Sequence, residues 1–201
     1  MLEVEQKFAR ADFAALERRL AEWGARRGEE HTEADHYFNA PDRDFRQTDE
    51  AFRLRRVGAK NFLTYKGPKR QAAVKIRTEL EVPLTDGDRA AEDFIRLLTH
   101  LGYRPVAVVR KHRRAYRLNR AGFDLLVCLD EVDGLGRFAE VEVLAPEEQV
   151  EAARAVLAET TAALGLSEVE RRSYLGLVLL ASGPLSPSPL VGEGEREGTA
   201  P

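Results

Sequence analysis

Charged residues recur at a spacing of two along several short stretches of this chain. Glu3, Glu5 and Lys7 alternate with Leu2, Val4 and nearby Phe8. Arg53 and Arg55 flank Leu54, and Arg77, Glu79 and Glu81 alternate with Thr78, Leu80 and Val82. The pattern returns at Lys111 with Arg113 and at Glu140 with Glu142 around Val141. Phosphate chemistry is one use for such residues. An enclosed triphosphate carries about four negative charges and needs fixed cations to offset its lost hydration. Lys7, Arg53, Arg55, Lys66, Arg77, Lys111 and Arg113 are the candidates. Arginine grips phosphate oxygens as a fork, whereas lysine offers a compact charge. The acids Glu3, Glu5, Glu79, Glu81, Asp130, Glu140 and Glu142 would repel a polyanion unless a hard cation stood between. They are oxygen ligands of the type that magnesium or manganese accepts. Carboxylates, phosphate-binding bases and metal together make a phosphoryl- or nucleotidyl-transfer site. The plainer alternative is that acids and bases pair with one another, as buried charges must.

Positioning these residues requires strands. Successive side chains on a strand point to opposite faces, so each charged set lies on one face and a largely apolar set on the other. Solvent would account for one such strand. Several strands with mixed charge on matching periods instead predict a curved antiparallel sheet, closed or nearly closed, with a charged lumen and helices packed outside. This is an α+β fold. Hairpin turns are expected at Asn119-Arg120-Ala121-Gly122, between strands at 105–118 and 123–132, and at Asp133-Gly134-Leu135-Gly136 before a strand at 137–144. Helical spacing predicts four helices: one capped by Asp12 with Phe13, Leu16, Leu20 and Trp23 on a stripe, one from about Asp88 to Leu101, one from Pro146 to Gly165, and one over about 171–181.

The composition narrows the function. Of 201 residues, 43% are hydrophobic and 32% charged; 31 Lys and Arg against 34 Asp and Glu leave a net charge of -3. Global attraction to nucleic acid or to an anionic membrane is not indicated. The basic run Arg110-Lys111-His112-Arg113-Arg114 splits between two faces once it lies on a strand. Cys128 is the single cysteine, so no internal disulfide forms, and its apolar run predicts a small buried side chain. Acid at the N-terminus, with no apolar run of membrane-spanning length, predicts a soluble cytoplasmic protein. Residues 1–182 read as one folded unit, and the Pro-, Gly- and Glu-rich stretch 183–201 as a disordered tail. The histidines have no zinc spacing, and no phosphate-cradling glycine loop is present.

Taken in order, Glu3-Val4-Glu5-Gln6-Lys7, Asp35-His36-Tyr37-Phe38-Asn39-Ala40-Pro41, Phe52-Arg53-Leu54-Arg55, Thr64-Tyr65-Lys66-Gly67-Pro68, Arg77-Thr78-Glu79-Leu80-Glu81, Lys111-His112-Arg113-Arg114-Ala115-Tyr116 and Phe138-Ala139-Glu140-Val141-Glu142 resemble the CYTH family, the triphosphate tunnel metalloenzymes. The resemblance spans about residues 1–180. It implies an eight-stranded antiparallel tunnel with catalytic Glu3, Glu5 and Lys7, and magnesium or manganese on Glu140, Glu142 and Asp130 helped by Glu3 and Glu5. Lys7, Arg53, Arg55, Lys66, Arg77, Lys111 and Arg113 would grip the triphosphate. Leu101-Gly102-Tyr103-Arg104-Pro105, the stretch from Leu129 to Glu140, and Arg172-Ser173-Tyr174 look most like class IV adenylyl cyclases, which turn ATP into cyclic AMP and pyrophosphate. Hydrolysis of tripolyphosphate, thiamine triphosphate or a nucleoside triphosphate uses the same tunnel and remains the alternative. A non-catalytic binder would not need the acids. Exposed barrel or helix faces leave room for a homodimer.

Overall fold

The computed structural model describes residues 2–68 and 75–182, with residues 75–77 described by their backbone alone. The expected tail at 183–201 lies outside the described residues. The elements run β1 (Leu2–Ala9), α1 (Phe13–Glu22), β2 (Arg26–Arg27), β3 (His31–Asn39), α2 (Phe45–Thr48), β4 (Ala51–Val57), β5 (Lys60–Lys66), β6 (Lys75–Arg77), β7 (Glu79–Leu84), α3 (Asp88–His100), β8 (Arg104–Arg120), β9 (Phe123–Val132), β10 (Gly136–Ala145), a 3-10 turn (Glu147–Gln149), α4 (Val150–Ala163) and α5 (Tyr174–Ala181). The four expected helices correspond to α1, α3, α4 and α5; the short α2 and the 3-10 turn were not foreseen. No helix among the described residues is long and apolar enough to cross a membrane.

One antiparallel sheet orders the strands β6-β1-β10-β9-β8-β3-β4-β5-β7, with β2 paired to β8. The expectation was an eight-stranded sheet, closed or nearly closed; the sheet curls into a half-barrel that is open rather than closed, and among the described residues it counts ten strands when the short β2 and β6 are included. β6 bonds to β1 and β7 bonds to β5. These two short strands are consecutive in the chain, separated by Thr78. The segment that would complete a ring is thus divided between the two edges instead of bonding to both neighbours as one strand.

The outer face of the sheet carries the apolar packing. Phe13, Leu16 and Leu20 of α1 are buried, as are Ala153 and Leu157 of α4, against Val4, Val127, Leu129, Val141 and Val143. Each large side chain so buried stabilises the fold by about 1.5–3 kcal/mol. Asp12 caps α1 by accepting from the Ala15 N–H at 3.2 Å, and Ala91 and Leu98 of α3 cover Phe38 and Leu54. The hairpin between β8 and β9 turns through Ala121 and Gly122 at φ of 50° and 83°, the left-handed pair that a two-residue hairpin requires.

Candidate functional site

The strand registers bring the charged faces together on the concave side. Lys7 lies opposite Glu140 and Glu5 opposite Glu142 across β1 and β10. Arg113 faces Asp130 across β8 and β9, Glu33 faces Lys111, and Asp35 faces Arg55. A cavity of ≈ 760 Å³ is lined by Glu3, Glu5, Lys7, Arg53, Arg55, Lys66, Glu79, Lys111, Arg113, Glu140 and Glu142. Glu81 is a correction to the expected lumen acids. It is exposed, accepts from Thr64 Oγ1 at 3.1 Å, and is not among the lining residues, although Glu79 on the same strand is. The Arg77 side chain lies outside the described residues; its backbone pairs with that of Glu3.

The cations are held by carboxylates. Arg113 forks onto Asp130 at 2.7 and 2.6 Å and reaches Glu140 at 2.6 Å. Lys7, only 2% exposed, stands 3.6 Å from Glu140. Lys111 lies 3.1 Å from Glu33 and 3.8 Å from Asp130. Arg55 forks onto Asp35 at 2.7 and 2.9 Å, and Arg53 meets the same carboxylate at 3.1 Å. Lys66 bridges Glu3, at 3.2 Å, and Glu79. Burial pushes the carboxyls of Glu33 and Asp35 up. Lys111, a His31 hydrogen bond, Arg113 and Arg55 outweigh it at Glu33, as Arg53 and Arg55 do at Asp35, leaving both well below the usual carboxylate range. Burial also raises Glu79, but Lys66, a hydrogen bond with Glu3 and the Arg53 charge together outweigh it and hold the group at about 2.

One acidic group differs. Ligand oxygens of Glu3, Glu5 and Glu142 all lie within 4.8 Å of one another. Burial pushes Glu3 up to about 8, against the pull of Lys66 and with a further push from Glu5. Burial likewise raises Glu142 to about 7, with Arg113 opposing and Glu140 and Glu5 adding repulsion. The three carboxylates crowd together and their donors are hard oxygens, so the residues fit a divalent ion such as magnesium or manganese. Asp130 and Glu140, also expected as ligands, are engaged with Arg113 instead and are not part of the trio.

Three further groups at the site were given no role by the sequence analysis, although Asp35 and Tyr174 stand in its motifs. Glu33 and Asp35 alternate around Ala34, the same period-two signal that marked the other strands. Tyr174 came from no strand pattern at all: it opens α5, which Ser173 caps by accepting from the Gly176 N–H at 3.1 Å. Its hydroxyl donates to Asp130 at 2.9 Å. Lys7 Nζ lies 4.1 Å from its ring centroid, a favourable cation–π contact. Cys128 is buried and free, as expected. The run at 110–114 divides as foreseen: Lys111 and Arg113 face the cavity, while Arg114 meets Glu17 and His112 meets Glu30.

The mouth of the cavity is framed by the loop containing α2. Arg104 donates to the Ala40 carbonyl at 2.9 Å. Gly102, at φ +85°, packs where an added Cβ would sit 3.1 Å from Pro41; both the conformation and the close approach require glycine.

Comparison with known proteins agrees with this geometry. A Methanocaldococcus jannaschii protein named as a candidate adenylate cyclase is 34% identical over 180 residues, covering 88% of this chain and 98% of its own. The structure of a Pyrococcus horikoshii protein is similar with a TM-score of 0.76 at 35% identity, covering 88% of this chain and 97% of that one. A Hippeastrum protein described as a candidate adenylyl cyclase with a dominant triphosphatase activity shares the fold, with a TM-score of 0.63 at 18% identity over 92% of this chain and 97% of its own. The CYTH domain matches residues 1–174, and with a cation-walled concave sheet built from the motifs of that domain, the chain belongs to the CYTH family.

Proposed function

We propose that the protein is a metal-dependent adenylyl cyclase of the class IV type, converting ATP into cyclic AMP and pyrophosphate. One observation carries the reading: a buried acidic trio, Glu3, Glu5 and Glu142, shares one cavity with Lys7, Arg53, Arg55, Lys66, Lys111 and Arg113. The relative named as a candidate adenylate cyclase supports the choice of reaction. Glu3, Glu5 and Glu142 would hold a divalent ion, which when bound would supply positive charge to phosphate oxygens and lower the pKa of a hydroxyl. Arg53, Arg55 and Arg113 bind and orient the phosphates as forks, exchanging part of their contact with Asp35, Asp130 and Glu140 for phosphate oxygens. Lys7, Lys66 and Lys111 add compact charge along the chain of phosphates. In cyclisation the ribose 3′-oxygen bonds to the α-phosphorus, the bond to the bridging oxygen breaks, and pyrophosphate leaves. The hydroxyl proton passes to water or to an ionised carboxylate of the cavity. Holding the hydroxyl in line with the α-phosphorus is what a fixed cation wall contributes.

Hydrolysis of a triphosphate is the second reading, favoured by the Hippeastrum protein of the same fold with its dominant triphosphatase activity. The two differ in which phosphorus is attacked. Product analysis with ATP and with tripolyphosphate, under manganese and magnesium, separates them. Cyclic AMP with stoichiometric pyrophosphate is the expected result; orthophosphate without a cyclic product would replace the cyclase by a triphosphatase.

A further inference from the structure

We propose that His31 is a positioning residue of the cavity wall: held as an imidazolium between Glu29 and Glu33, it balances the charge of Glu33 so that Arg55, Lys111 and Arg113 can turn to the phosphates of a bound triphosphate. The inference rests on the reading that the charged wall takes a triphosphate.

His31 opens β3 directly opposite Arg113 of β8, so the two side chains leave the sheet on the same concave face. Its ring is held at both nitrogens. Nδ1 lies 3.2 Å from the Glu29 carbonyl oxygen and Nε2 lies 3.0 Å from Glu33 Oε1. A carbonyl and an ionised carboxylate only accept hydrogen bonds, so each ring nitrogen must donate, and only the imidazolium carries two N–H groups. The Glu33 hydrogen bond accordingly raises His31 above the ordinary histidine range against its partial burial, with the Glu33 charge and the Glu29 carbonyl adding to the rise and Arg113 opposing it. The charged groups facing the ring among the described residues are Glu33 and Arg113; Glu30, the preceding residue, turns instead to Arg27 and His112. Glu33 is only 3% exposed and gathers four cations: His31 at 3.0 Å, Arg55 at 2.9 Å, Lys111 at 3.1 Å and Arg113 at 4.0 Å. Arg55, Lys111 and Arg113 line the cavity, whereas His31 is not in that lining. Its side chain is 31% exposed, so a proton reaches it from solvent. When the other three turn to phosphate oxygens, Glu33 needs a cation that stays behind, because a buried carboxylate left unpaired is costly. The imidazolium is that cation. A neutral His31 would leave Glu33 competing with phosphate for the same groups and would remove one positive charge from beside the site.

The test is equilibrium titration of tripolyphosphate, without added metal, into the full chain, His31→Gln and His31→Lys at about pH 6 and about pH 9. Glutamine keeps a donor for Glu33 without the charge, and lysine keeps the charge at both pH values. Ratios between the three proteins cancel the titration of Glu3 and Glu142, which all of them share. The unaltered protein is expected to bind about fivefold more tightly than His31→Gln at the lower pH, for one charge lost beside a partly solvated site, and equally at the higher pH. His31→Lys should stay ahead of His31→Gln at both. By reciprocity, tripolyphosphate should raise the titration midpoint of His31, followed by NMR of its imidazole, by about 0.7 pH unit, the logarithm of the same factor. Damage to the fold would instead weaken His31→Gln alike at both pH values. A ratio that does not change with pH, or a His31 midpoint unmoved by tripolyphosphate, overturns the proposal. Failure of the unaltered protein to bind tripolyphosphate at either pH overturns the triphosphate reading and the role of His31 with it.

Discussion

Metal binding to the acidic trio should release protons, and the number follows from the structure. Near pH 7 a Glu3 carboxyl at about 8 is largely protonated, and a Glu142 carboxyl at about 7 is half protonated. A divalent ion ligated by both must displace at least one proton, so its affinity should rise by roughly tenfold or more per pH unit around neutrality. Calorimetric titration of manganese in buffers of different ionisation enthalpy counts those protons directly. Glu142→Gln removes one titrating group and relieves repulsion on Glu3, so both the manganese affinity and the proton count should fall. Stability without metal follows with its own sign. The raised carboxyls keep protons in the folded state that the unfolded chain has released, so this contribution to stability declines as pH rises from about 4.5 through about 8. Added manganese should recover more melting temperature at pH 8 than at pH 6. A manganese affinity independent of pH across this range, with no protons released, would refute the assignment of the metal to this trio.

Two further perturbations test the wall around it. Asp35→Asn leaves Arg53 and Arg55 without their shared buried anion, and should cost about 3–5 kcal/mol in denaturant unfolding; a cost below about 1 kcal/mol would mean that solvent or Glu33 already serves these guanidinium groups. Cys128→Ala removes a fully buried thiol opposite Ala115 and Glu140, and should lower stability by about 1 kcal/mol with turnover unchanged; loss of turnover in a folded variant would give the thiol a role in the reaction.

Much of the concave face was legible in the sequence because side chains alternate across a strand. A charge at every second residue therefore marks one face wherever the strand is placed. That argument picked out Glu3, Glu5, Lys7, Arg53, Arg55, Glu79, Lys111, Arg113, Glu140 and Glu142, which line the cavity, and apolar stripes with caps located the helices behind it. Glu33 and Asp35 carried the same signal around Ala34. Alternation by itself, however, does not rank one charged strand above another.

Partnership was decided only in three dimensions, because register belongs to pairs of strands distant in the chain. Glu5 falls opposite Glu142, which helps to bring carboxylate oxygens of Glu3, Glu5 and Glu142 within 4.8 Å of one another. Arg113 falls opposite Asp130, and its fork engages Asp130 and Glu140. The pairing at the sheet edges is likewise tertiary: β6 and β7, on either side of Thr78, bond to different neighbours. Tyr174 and the apolar face of α5 belong to a helix whose sequence specifies its hydrophobicity but not its destination. Packing against β8 brings that helix over the cavity, beside a charged wall assembled from strands throughout the chain.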